Sequence, residues 1–161
     1  MPTATPPPPQ FLPIEAQWCL EATAPAPSPA SAPVCIGLEV ARSFQQQSWG
    51  LMQRPPLPPL RGMWFPYDQP QALKFWMHHT PAPLDMLFLR AGRVIAIEAG
   101  AKPCPHLPCR SYGPDEPADG VVELAAGEAA RLGLTVGAAA RITPLPPPAP
   151  PAARRAAPAR G

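Results

Sequence analysis

The chain lacks several things, and each absence excludes a class of function. Among its 161 residues no window approaches a run of about 18 consecutive apolar side chains, the length that a spanning helix needs. A transmembrane helix is therefore not expected. Charge is sparse and nearly balanced, with 13 basic residues against 11 acidic ones. A near-neutral domain has no electrostatic footprint for nucleic acid. There is no glycine-rich phosphate loop and no P-loop, so nothing points to a nucleotide or any other cofactor. No internal repeat is evident. The first residues, Met1-Pro-Thr-Ala-Thr-Pro, offer neither a basic region nor an apolar core, so as written they do not form a signal peptide.

Proline is the residue in excess, with 30 copies. Average usage is about 5%. Ten prolines precede Val34 and seven follow Thr143. Segments made almost wholly of Pro, Ala, Ser and Thr lack the large apolar groups that offset backbone ordering entropy. The expected organisation is therefore a Pro/Ala-rich segment over 1–33, a folded domain over 34–143 and a Pro/Ala/Arg tail over 144–161. Both ends are expected to be disordered or polyproline-II-like. A short apolar island near 11–20, with Ile14, Trp18 and Leu20, could form an edge strand or pack on the domain. The tail carries Arg154, Arg155 and Arg160 without an acid, a charge run that reads as solubilising.

Four cysteines fall in two pairs. Cys19 and Cys35 flank the Pro/Ala/Ser segment, and Cys104 and Cys109 flank Pro-His-Leu-Pro. Pairs that each close a short loop look like disulfide staples, which imply an oxidising compartment. Four cysteines allow three connectivities, and the residues do not choose among them. A metal reading exists as well, since Cys104, His106 and Cys109 lie within six residues and Cys19 and Cys35 offer a second pair. The disulfide reading is favoured and no metal is expected. The cysteines point to the cell envelope or periplasm; a complete N-terminus as written would instead place the chain in the cytoplasm, with free thiols.

Between the ends, the pattern is mainly β. Val34–Ala41 reads as a strand. Ser43 is a good N-cap for about two helical turns, with Phe44, Leu51 and Trp49 turned to the core. Gly62–Phe65 and Leu73–Met77 are short strand candidates joined through Pro66, Asp68 and Pro70. Leu84–Leu89 and Arg93–Ala99 form the clearest hairpin, turning at Arg90-Ala91-Gly92. Ala99–Ala118 is a long loop. Gly120–Leu124 is a strand, Ala126–Leu132 a short helix closed by Gly133, and Val136–Thr143 a turn and a last strand. About seven short strands and two short helices predict a compact antiparallel barrel or sandwich, α+β by count.

These residues resemble the DUF192 family, also called UPF0127. The resemblance runs from Cys35 to Ile142 in four ordered blocks. They are Leu38-Glu-Val-Ala41 with Trp49-Gly-Leu-Met52 and Arg54; Gly62-Met-Trp-Phe65; Trp76-Met77, Thr80 and Pro83-Leu-Asp-Met86; and Ser111-Tyr-Gly-Pro114, Glu123-Leu124, Ala126-Gly127, Gly133-Leu134 and Val136-Gly137. The chain departs from the family pattern at His78-His79, where Lys-Asn is common, and at Ala138, where Asp is common. The resemblance implies a small, mainly β domain and no established activity. It also implies similarity to exported or lipid-anchored proteins.

Candidate chemistry concentrates between Phe75 and Leu89. His78, His79 and Asp85 are the obvious acid/base set, and a hydrolase or isomerase built on an Asp/His pair is the alternative reading. Adjacent strand residues face opposite ways, so at most one histidine would share a face with a partner. Asp85 reads better as a turn residue that accepts backbone N–H groups. Ser111 lacks the strand-to-helix elbow of a hydrolase nucleophile. Trp49, Trp64, Trp76 and Tyr112 could line a groove. The leading expectation is a non-enzymatic, monomeric binding or accessory module. Trp76, His78, Thr80, Ser111 and Tyr112 would contact a small molecule, a glycan, a peptide or a partner protein.

Overall fold

The computed structural model describes residues 5–21, 32–147 and 149. Most of the expected linker and of the expected Arg-bearing tail lies outside the described residues. Seven strands form one sheet: β1 (Ile14–Cys19), β2 (Cys35–Val40), β3 (Arg61–Gln71), β5 (Leu84–Arg90), β6 (Arg93–Ala101), β8 (Ala118–Ala125) and β9 (Ile142–Pro144). Their order is β6-β5-β8-β3-β2-β1-β9. A separate two-stranded ribbon pairs β4 (Phe75–Trp76) with β7 (Ser111–Tyr112). Two short helices complete the set, α1 (Phe44–Trp49) and α2 (Glu128–Arg131).

The fold is mainly β, as the pattern predicts, with nine strands among the described residues. Neighbouring strands are antiparallel except β2 and β3, which run parallel. A parallel pair needs a crossover connection rather than a tight turn. Here α1 and the proline-rich loop after it provide that connection. The sheet also curls. The N–H of Val94 donates to the Ala138 carbonyl at 2.9 Å, and the N–H of Ala140 donates to the Gly92 carbonyl at 2.8 Å. These bonds bring the chain ahead of β9 against β6 without closing a continuous barrel.

The apolar island is a member of the sheet, flanked on one side by β2 and on the other by β9. A Cys19–Cys35 disulfide joins the facing ends of β1 and β2. The alternation of side chains places one core on each face. Trp18, Ile36, Leu38, Leu87, Val122 and Leu124 pack on one side. Met63, Phe65, Met77, Met86, Phe88 and Val121 pack on the other. Burying each such side chain is worth about 1.5–3 kcal/mol.

Local chemistry sets the connections. The β5–β6 hairpin turns at Ala91 (φ 48°) and Gly92 (φ 75°), the positive pair that a two-residue hairpin turn requires. Strand β3 continues through Pro66 and Pro70 instead of stopping there, and its register with β8 shifts between Pro66 and Gln71. Proline cannot donate to a ladder, which is why the shift falls there. Ser43 Oγ accepts from the Gln46 N–H at 3.0 Å, and Gln46 Oε1 accepts from the Ser43 N–H at 3.1 Å. This capping box starts α1 as expected. Phe44 departs from expectation. It is 89% exposed. The helix is too short to bury both ends, and Leu51, just beyond it, supplies the core contact.

Candidate functional site

Asp85 shows what a satisfied buried acid looks like. It sits on β5 and is 1% exposed. Its Oδ1 accepts the Gly100 N–H at 2.9 Å. Its Oδ2 accepts the N–H groups of Gly127 and Ala129, both at 3.0 Å. Gly127 is the N-cap of α2 and has no side chain to cap it. Asp85 performs that task from a neighbouring strand and also ties down the end of β6. No imidazole is among its hydrogen-bond partners, so the Asp/His pair is not assembled.

The two histidines are placed differently from a strand pair. His79 has φ 58°, a left-handed conformation that breaks the alternation. Its ring lies on that of His78, with centroids 3.7 Å apart. Trp76 meets His78 edge-on at 5.0 Å. Partial burial, and then the neighbouring His79 and His106, hold the His78 imidazole below its usual range. The His79 side lines a small hollow of about 330 Å³ with Gln53, Pro81 and Cys104. Cys104 and Cys109 are joined in a disulfide, so the thiolates that a metal would need are already engaged. Among the described residues no group of three or more His, Cys, Asp or Glu side chains is placed to hold a metal.

The larger cavity, about 530 Å³, opens between α1, the end of β3 and the β4–β7 ribbon. Of the expected binding residues, Trp76, Thr80 and Ser111 line it, whereas His78 and Tyr112 do not. Trp76 is 45% exposed at the mouth. Thr80 is buried, and its hydroxyl lies 3.4 Å from the His78 carbonyl. Tyr112 is engaged elsewhere. The Arg110 guanidinium covers its ring at 4.5 Å, and its hydroxyl accepts the Lys102 N–H at 3.4 Å.

Sequence reasoning missed the floor of this cavity. Glu123 on β8 is 4% exposed and reaches the cavity from between Met63 and Met86 on the adjoining strands. Among the described residues no hydrogen bond reaches its carboxyl. Burial without a partner pushes that carboxyl up to about 8 from its ordinary 4.5. Tyr67 stands beside it on the same wall; burial first, and then the Glu123 charge, raise its phenol. One signal was present in the chain: Glu123 is a lone acid in the apolar run Val121-Val-Glu-Leu124.

The remaining buried acids are paired. Glu39 meets the buried Arg54 at 2.6 Å and accepts the Leu12 N–H at 2.9 Å. Glu128 is bridged by Arg131 and accepts the Leu60 N–H at 2.6 Å; the Arg131 guanidinium first, and then the Leu60 N–H, hold its carboxyl below the usual range.

The architecture is that of a small curled mixed sheet with one open cavity beside a two-stranded ribbon. The chain belongs to the DUF192 family, whose model, described as an uncharacterised conserved family, matches residues 28–142. No curated protein matches it. Two crystal structures resemble it closely. One is a candidate transcription regulator from Sinorhizobium meliloti, 28% identical, with a TM-score of 0.65 over 81% of this chain and 92% of that one. The other is a protein of unknown function from Novosphingobium aromaticivorans, also 28% identical, with a TM-score of 0.64 over 85% and 93% of the two chains.

Proposed function

We propose that this protein is a non-enzymatic ligand-binding module of the cell envelope, and that its ligand occupies the cavity between α1 and the β4–β7 ribbon. The carrying observation is the lining of that cavity. Trp76 and Phe44 stand exposed at its mouth, with Gln47, Ser111 and Tyr67 along its walls. Aromatic faces beside a few fixed hydrogen-bonding groups suit the apolar faces and hydroxyls of a sugar, or the side chains of a peptide. The Asp/His catalytic alternative has no comparable support, because the carboxylate of Asp85 is saturated by backbone donors.

Two disulfides support the envelope assignment, since such bonds persist in oxidising compartments. Four alkylatable thiols in unreduced protein from its own host would remove it. The binding reading is tested on glycan and peptide arrays with the parent and Trp76→Ala. The expected result is a discrete set of ligands that the variant loses. Identical profiles for the two proteins would overturn the reading.

A further inference from the structure

We propose that the cavity recognises a primary ammonium group, inserted past the aromatic mouth to pair with the carboxyl of Glu123. This rests on the binding function proposed above and names the chemistry of its ligand. Glu123 is buried, aimed into an open cavity and, among the described residues, unpartnered, whereas Asp85, Glu39 and Glu128, the other buried acids described, each have donors in the fold. An acid kept in that condition is stabilised by whatever donor arrives from outside. The walls favour a cation in particular. Trp49, Phe65, Tyr67, Phe75 and Trp76 surround the route to Glu123, and aromatic faces attract ammonium groups.

The protein's own cations do not fill that role. Lys74 is the one cationic side chain lining the cavity among the described residues, and its Nζ donates to the Gly113 carbonyl at 2.6 Å and to Asp115 at 3.0 Å. Tyr67 from β3 is the other titratable group facing Glu123. Helix α1 and the β4–β7 ribbon bring no charged side chain to the cavity.

An ammonium could come from an amino sugar or from a lysine side chain, so the experiment carries both. Calorimetry near neutral pH compares glucosamine tetramer with its fully N-acetylated form, and Gly-Lys-Gly with Gly-acetyllysine-Gly. The expected result is at least tenfold tighter binding of the free amine in one pair, and that pair identifies the source. Because free Glu123 holds its proton near neutrality, binding should also release a proton, read as a heat that changes with the ionisation enthalpy of the buffer. Glu123→Gln should erase both the preference and the release while keeping the fold. Acetylated probes binding as well as the amines, with Trp76→Ala still abolishing binding, would overturn the ammonium assignment and leave the binding module standing. Failure of all four probes, or binding indifferent to Trp76→Ala, would overturn both.

Discussion

Asp85 and Glu123 lie on neighbouring strands, one residue out of register, and are almost equally hidden from solvent at 1% and 4% exposure. They face opposite sides of the sheet. Asp85 points toward the core that holds Leu87 and Leu124, and it meets three backbone N–H groups there. Glu123 points toward the core that holds Met63 and Phe88, where the sheet is open over the cavity, and among the described residues it meets none. Burial alone therefore says little about the role of an acid. What separates a brace from a candidate site is whether the fold has already supplied the hydrogen bonds that a buried carboxyl needs.

Replacing each acid should have opposite effects on stability, and the larger effect belongs to Asp85. Asp85→Ala strands the N–H groups of Gly100, Gly127 and Ala129, and it should cost about 3–5 kcal/mol in denaturant unfolding. A loss below about 1 kcal/mol would mean that water replaces the carboxylate without penalty, and the contrast would collapse. Glu123→Gln should instead stabilise the protein at neutral pH by about 1–3 kcal/mol, because the parent must take up a proton to bury this carboxyl at that pH and a neutral amide need not. The sign follows from linkage. The folded carboxyl titrates near 8 and the unfolded one near 4.5. The folded state thus holds an extra proton across that window. The contribution of Glu123 is fully present below the lower value, declines as pH rises and is lost above the upper one. Parent protein should lose stability across this interval relative to Glu123→Gln, and parallel pH profiles for the two would break the comparison.

The two acids also differ in how legible they were. Asp85 follows a Pro-Ala-Pro bend and opens an apolar strand, a position where a short carboxylate commonly accepts backbone donors. Its role could be read locally even though its partners lie 15 to 44 residues away. Glu123 has no such local grammar. Its isolation depends on which strands flank β8 and on where α1 lands, and the parallel β2–β3 pair that positions α1 was not visible in the strand pattern. The hairpin at Ala91-Gly92, the cap at Ser43 and the Gly133 stop of α2 were readable because each depends on a few neighbouring residues. The cysteine pairing was readable as staples, though not as a connectivity. The side-by-side histidines were misread because a single left-handed residue, His79, cancels the strand alternation assumed for them.

The smallest stability effect should come from the mouth of the cavity, and it tests the contrast from the other side. Phe44 is exposed, is not a member of either buried core and lines the cavity. A large aromatic side chain left in water contributes little to folding, and surface substitutions of this kind usually change stability by less than about 0.5 kcal/mol. Its position just after the Ser43 cap keeps α1 intact in Phe44→Ala, since the capping bonds involve Ser43 and Gln46 only. If Phe44 is retained to contact ligand, the variant should unfold at the same denaturant midpoint as the parent and lose binding on the same arrays that detect Trp76→Ala. A midpoint shift comparable to that of Asp85→Ala would show that Phe44 serves the fold. The exposed aromatic mouth would then cease to distinguish the Glu123 face from the Asp85 face.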